Sequence, residues 1–136
     1  SGTNAVDVFQ INLAAAGSDA NPILKLQNAA ATQTLLTLRN YTNFNTLRVM
    51  GLDGDDVFNV KTAPVNSRNL FVDGGQPTGK KKSTDKLNVF YVPPRPRIIQ
   101  SAATQDPDAG LVDLDYGTAR FLVQYDDIEQ VVIRRS

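Results

Sequence analysis

The chain contains no histidine, no cysteine and no tryptophan. Without cysteine there is no disulfide, no thiolate metal site and no thiol nucleophile. Without histidine, neither a Ser-His-Asp nor a Cys-His arrangement can be assembled, and a His-ligated zinc site is excluded. Glutamate is nearly absent, since Glu129 is the only one among many aspartates. No apolar run approaches the roughly 18 residues of a transmembrane helix, so no membrane insertion is expected. An excess of either charge is also missing. The 14 basic and 14 acidic residues cancel, and a general nucleic-acid or acidic-membrane binder needs a basic surplus.

What remains is a chain of 136 residues with 41% hydrophobic content, the size of one ordinary domain. Asp and Asn favour turns, because their short side chains bond to nearby backbone and tolerate left-handed conformations. Glu favours helices. A composition rich in Asp, Asn, Thr and Val and poor in Glu predicts short strands joined by many turns. The absence of cysteine fits a reducing cytosol or a bacterial exoprotein that does without disulfides.

Alternating apolar residues bounded by Gly, Asn, Asp and Pro mark those strands. They run over Val6–Ile11, Leu47–Val49, Val57–Val60, Leu70–Val72, Leu87–Val92, Leu111–Tyr116, Phe121–Val123 and Val131–Ile133. Residues 23–38 could line a helix face through Leu24, Ala31, Leu35 and Leu38. Two strands, Ile23–Leu26 and Leu35–Leu38, are the preferred reading, because the internal repeat supports them.

The chain resembles itself. Leu38, Tyr41, Phe44, Leu47 and Val49 match Leu122, Tyr125, Ile128, Val131 and Ile133 at a constant offset of 84 residues. A shorter unit, an aspartate followed by an alternating strand, occurs as Asp7-Val8-Phe9-Gln10-Ile11, Asp56-Val57-Phe58-Asn59-Val60 and Asp85-Lys86-Leu87-Asn88-Val89. Residues 1–136 therefore read as a single all-β domain holding about one and a half copies of a long module. Recurrence of this kind points to stacked repeats.

Few motifs carry chemistry. Gly74-Gly75-Gln76-Pro77-Thr78-Gly79-Lys80 has the spacing of a phosphate-binding loop. However, Lys81 stands where Ser or Thr would hold magnesium, and a strand rather than a helix follows. Lys80, Lys81, Lys82, Arg95, Arg97, Arg134 and Arg135 could form a basic patch for a polyanionic glycan, but aromatics for base stacking are sparse. The carboxylate groupings Asp55 with Asp56, Asp113 with Asp115, and Asp126 with Asp127 and Glu129 invite comparison with glycoside hydrolases. Asp113 and Asp115 sit two apart, so in a strand they share a polar outer face. Asn40-Tyr41-Thr42 is a glycosylation sequon, a triplet that also occurs by chance.

Gly51-Leu52-Asp53-Gly54-Asp55-Asp56-Val57-Phe58-Asn59 resembles the calcium-binding nonapeptide of haemolysin-type β-rolls. Glycines there allow positive φ, and carboxylate and carbonyl oxygens suit a hard cation. Leu52 replaces the second glycine of that pattern. The alternative is a plain Asp-Gly turn between strands. Together with Leu70–Gly75, Pro77, Thr78, Asp85–Val89 and Ile128–Ile133, this stretch is similar to repeat segments of very large exoproteins of planctomycetes and related bacteria. The similarity covers about residues 44–136.

The resemblance implies an extracellular or cell-surface, modular, non-enzymatic segment, structural or adhesive in role. Neighbouring repeat modules would be its partners, with a glycan or a surface protein as further candidates. Calcium is the one candidate cofactor, with Asp53, Asp55, Asp56 and Asp73 as its ligands. The alternative function is a calcium- or glycan-binding β-module. The expected fold is all-β, as a parallel β-solenoid with an antiparallel β-sandwich as the alternative. In the solenoid, Phe9, Leu47, Val49, Phe58, Val60, Phe71, Leu87, Val89, Leu122, Val131 and Ile133 would stack inward.

Overall fold

The computed structural model describes residues 7–14, 24–28, 34–38, 46–51, 54–75, 84–103 and 108–136. These residues form an all-β structure. The strands are β1 (Asp7–Asn12), β2 (Leu24–Asn28), β3 (Thr34–Leu38), β4 (Thr46–Met50), β5 (Val57–Lys61), β6 (Arg68–Asp73), β7 (Lys86–Tyr91), β8 (Arg97–Ala102), β9 (Gly110–Asp115), β10 (Arg120–Asp126) and β11 (Gln130–Arg135). Each is 5–7 residues long, too short to be stable without neighbours.

Two mixed sheets result. The first has the order β11-β7-β5-β1-β2-β3 and the second β4-β6-β10-β9-β8. Within the first, β1, β5, β7 and β11 run parallel, and β2 and β3 add antiparallel strands beyond β1. Within the second, β4, β6 and β10 are parallel, and β9 and β8 continue antiparallel. Three times the chain crosses from the second sheet to the first, through β4–β5, β6–β7 and β10–β11. Parallel and antiparallel pairs thus coexist in both sheets. Neither a purely parallel stack nor a purely antiparallel sandwich describes the strand pairing.

The Asp-led units lie on top of one another in register. Phe9 pairs with Phe58, and Phe58 with Leu87, while Ile11, Val60 and Val89 form the next row inward. The Phe9 and Phe58 rings stack with centroids 4.7 Å apart. Between these rows, Asn88 Nδ2 donates to Asn59 Oδ1 at 3.0 Å on the outer face. Of the residues matched at the offset of 84, Tyr41 and Phe44 lie outside the described residues, and Leu38, Leu47 and Val49 lie in a different sheet from their counterparts. Leu47 of β4 pairs with Leu70, and Val131 of β11 pairs with Leu87.

Both sheets feed one hydrophobic core, with Phe9, Ile11, Phe58, Val60, Leu87 and Val89 from the first. Leu70, Val72, Val112, Leu114, Phe121 and Val123 come from the second. Each such side chain, fully removed from water, contributes about 1.5–3 kcal/mol. Two residues expected inside are not. Phe71 and Leu122 are only partly buried and point outward, and the Arg48 guanidinium lies 4.5 Å over the Phe71 ring. The runs Leu70-Phe71-Val72 and Phe121-Leu122-Val123 are apolar throughout, so periodicity alone leaves their phase open. The pairing resolves it by placing Leu70 opposite Val123, and both are buried.

Strand β8 was not foreshadowed in the sequence. It is an edge strand, exposed at nearly every position, so it carries no alternating apolar face to signal it. The two-strand reading of residues 23–38 agrees with β2 and β3. The Lys80–Lys82 triplet, most of the Gly74–Lys80 loop and the Asn40–Thr42 sequon lie outside the described residues.

Candidate functional site

The start of each parallel strand of the first sheet bears a carboxylate. Asp7 begins β1, Asp56 precedes β5, Asp85 precedes β7 and Glu129 precedes β11. The four are linked through the backbone. Asp56 Oδ1 accepts the Asp7 N–H at 3.0 Å, Asp85 Oδ1 accepts the Asp56 N–H at 2.8 Å, and Glu129 Oε2 accepts the Asp85 N–H at 2.9 Å. The amide at the start of β1, β5 and β7 is thus held by the acid of the next strand, while the Glu129 N–H donates to the Asp85 carbonyl. Such a hydrogen bond contributes about 0.5–1.5 kcal/mol net, and more where the acceptor is ionised.

Glycines make room for the acids. The second sheet's parallel ladder continues past β4 and β6, where Gly51 N–H donates to the Asp73 carbonyl and Gly74 N–H to the Asp126 carbonyl. A Cβ added to Gly74 would lie 2.6 Å from Asp85 Oδ2 and collide with the Asp127 carbonyl oxygen. One added to Gly51 would collide with the Asp56 carboxylate and lie 2.8 Å from the Gly74 carbonyl oxygen. The glycines of the turn are therefore demanded by close approach to a buried carboxylate in the opposite layer.

Burial sets the electrostatics. Asp7, Asp56 and Asp85 are at most 1% exposed. Asp85 Oδ2 is buried and has no hydrogen-bond partner among the described residues. Desolvation pushes the Asp85 carboxyl up to about 7, against the pull of the Asp56 N–H, and the negative charges of Glu129, Asp56 and Asp55 push the same way. Neighbouring strands stand about 4.8 Å apart. At that separation two ionised carboxylates repel by about 3 kcal/mol at an effective dielectric of 20.

Among the described residues, the expected calcium ligands Asp55, Asp56 and Asp73 do not form a close group of three. Asp53 lies outside the described residues. Asp55 Oδ1 accepts the exposed Thr84 N–H at 2.7 Å, Asp56 belongs to the buried ladder, and Asp73 ends β6 in the other sheet. Asp73 instead joins Asp126 and Asp127, with one oxygen from each lying within 4.8 Å of the others. Asp73 Oδ1 accepts the Gly75 N–H at 2.9 Å, and Asp126 Oδ1 accepts the Asp127 N–H at 3.0 Å. Among the described residues this is the only group of three acidic side chains so close together.

Asp113 and Asp115 line a shallow recess of about 320 Å³ with Arg97 and Arg120. Arg120 clamps Asp113 through Nε at 3.0 Å and Nη2 at 2.6 Å. That hydrogen bond holds the Asp113 carboxyl below its usual range, which suits a structural acceptor and disqualifies it as a proton donor near neutral pH. The buried ladder acids line none of the cavities described here. No family model, curated protein or solved structure matches this chain. Its chemistry is read from its own geometry.

Two features escaped the sequence reading. Glu129 was not joined to the Asp-led units, although Glu129-Gln130-Val131-Val132-Ile133 has their acid-x-apolar-x-apolar pattern. Allowing Glu in the first position would have found it. The Asp73–Asp126 pairing was invisible, because it depends on β6 and β10 being neighbours across 53 residues of sequence.

Proposed function

We propose that this chain is a non-catalytic structural module of a large secreted or surface-exposed bacterial protein, built as a β-solenoid interrupted by antiparallel strands. The observation that carries this reading is the acid ladder. Asp7, Asp56, Asp85 and Glu129 occupy the same place in successive strands and bond in one direction through the stack. Devotion of buried acids to aligning strands fits a scaffold. The similarity of residues 44–136 to planctomycete-type repeat segments supports the same class and an extracellular setting.

Stacked repeats bury their apolar faces against neighbours. Strands β4 and β11 each end a strand order, and adjoining modules of the parent protein are the natural occupants of those edges. Two measurements test the proposal. Intact cells of the producing bacterium, probed with an antibody to this segment, are expected to label without permeabilisation. Labelling only after permeabilisation contradicts the location. A hydrolysis screen over polysaccharide, peptide and phosphoester substrates is expected to yield no products, and reproducible turnover overturns the non-catalytic role.

A further inference from the structure

We propose that the outer face of the first sheet is a binding surface for a linear polyuronate, a polysaccharide carrying about one carboxylate per sugar ring. This goes beyond the structural role and does not depend on it. Alternation along β1, β5, β7 and β11 turns Phe9, Phe58, Leu87 and Val131 inward, so the residues between them face out. Four exposed cations then share that face: Lys25 of β2, Lys61 of β5, Lys86 of β7 and Arg134 of β11. Among the described outward positions of these five strands there is no acidic residue, because the acids of the ladder are turned in or stand before the strands. Within the strands this face carries cations only, and the exposed Asp55 and Glu129 stand at its edge, before β5 and β11.

Between the cations runs a row of amides. Gln10, Asn59 and Asn88 pair side by side across β1, β5 and β7. Amides both donate to and accept from hydroxyl groups, which suits a ligand rich in them. At one end of the face a recess of about 420 Å³ is lined by Asn12, Lys61, Asn66 and Phe90, a size suited to a small sugar unit. Phe90 offers it a partly exposed ring.

Charge spacing selects the polymer. In the row formed by Lys61, Phe90 and Arg134 the two cations stand two strands apart, about 9.6 Å, a distance of the order of two sugar rings. Duplex DNA carries a charge about every 1.7 Å, denser than four cations on five strands can match. Phe90 is the one aromatic among the outward residues of the parallel strands, whereas single-stranded nucleic acid requires a series of stacking platforms.

The experiment is affinity electrophoresis of the intact chain through gels containing alginate, polygalacturonate, dextran, heparin or single-stranded DNA, backed by direct titration with uronate oligomers. Retardation by the polyuronates and none by dextran is expected, diminishing as salt is raised. The double substitution Lys61→Glu with Lys86→Glu is expected to weaken oligomer binding at least tenfold. The melting temperature should remain unchanged, since both side chains are exposed. No retardation by either polyuronate overturns the proposal, as does tighter retention by DNA or heparin than by polyuronate at equal charge concentration. Undiminished binding by the folded double variant overturns it too.

Discussion

Replacing Asp85 with asparagine should remove most of the protein's loss of stability between pH 4 and pH 8. In the folded chain the Asp85 carboxyl is pushed up to about 7, whereas in an unfolded chain it titrates near 3.9. The folded state therefore holds this proton more tightly than the unfolded state. Below about pH 4 both states are protonated and no penalty arises. As pH rises toward 7 the unfolded chain ionises first, and the folded state loses ground by about 1.4 kcal/mol per pH unit. Above 7 both are ionised and the deficit stays at about 4 kcal/mol.

Asparagine cannot ionise, and its carbonyl can still accept the Asp56 N–H that Asp85 accepts at 2.8 Å. Its NH2 would replace an oxygen that already lacks a hydrogen-bond partner among the described residues, so an unpaired donor costing about 1–3 kcal/mol takes its place. The two proteins should then be similar near pH 5, with the variant the more stable at pH 8. The assay is thermal unfolding followed by circular dichroism, in matched buffers from pH 4 to pH 8. For a domain of this size about 4 kcal/mol corresponds to roughly 10–20 °C, well beyond the scatter of such melts. Parallel curves for wild type and Asp85→Asn across that range refute the reasoning, because they would mean that this carboxyl titrates alike in both states.

Further substitutions probe other parts of the structure. Phe58→Ala empties a fully buried site stacked on Phe9 and should cost about 3–5 kcal/mol in urea unfolding. Phe71→Ala, on the outer face, should cost well under half of that, and equal costs would contradict the outward phase of β6. Gly74→Ala drives a methyl group against the Asp127 carbonyl and the Asp85 carboxylate, with an expected loss of at least 1–3 kcal/mol; an unchanged midpoint would show that the layers separate freely. Glu129→Asp shortens the arm that reaches the Asp85 N–H and should destabilise by about 1–3 kcal/mol. Glu129→Gln keeps the acceptor and removes a charge that raises Asp85, so carbon NMR should find the Asp85 midpoint lowered. Breaking the exposed Arg120–Asp113 pair with Asp113→Asn should leave stability nearly unchanged, as surface ion pairs contribute little.

Much of the fold was legible because the short strands alternate and are bounded by turn residues. The Asp-led units at Asp7, Asp56 and Asp85 were visible as a pattern, and they are the ones that stack. What the pattern could not supply was the direction in which each acid faces. An aspartate after Gly54 reads equally well as a cation ligand or as the acceptor for an amide 49 residues away, and only the neighbouring strand decides between them. The phase of Leu70-Phe71-Val72 was hidden for a related reason. Three apolar residues in a row carry no alternation, so the partner strand sets which of them meets the core. Edge strand β8 left no trace, since its side chains contribute little to the core.

The odd acid composition follows from the ladder's geometry. Asp56 and Asp85 bond from inside the protein, where a neighbouring amide is close and a longer side chain would have to fold back on itself among packed residues. Glu129 stands at the exposed end of the series and reaches inward to the Asp85 N–H. The extra methylene lets a residue whose body remains in water place an oxygen 2.9 Å from a buried amide. Burial of Asp85 carries a desolvation cost that raises its carboxyl. The chain's only glutamate thus occupies the one rung where reach matters more than compactness, and Gly51 and Gly74 stand where inner carboxylates press against the opposite layer. Side-chain length and glycine placement are two expressions of a single requirement: an acid must meet the first amide of the preceding strand without opening the core.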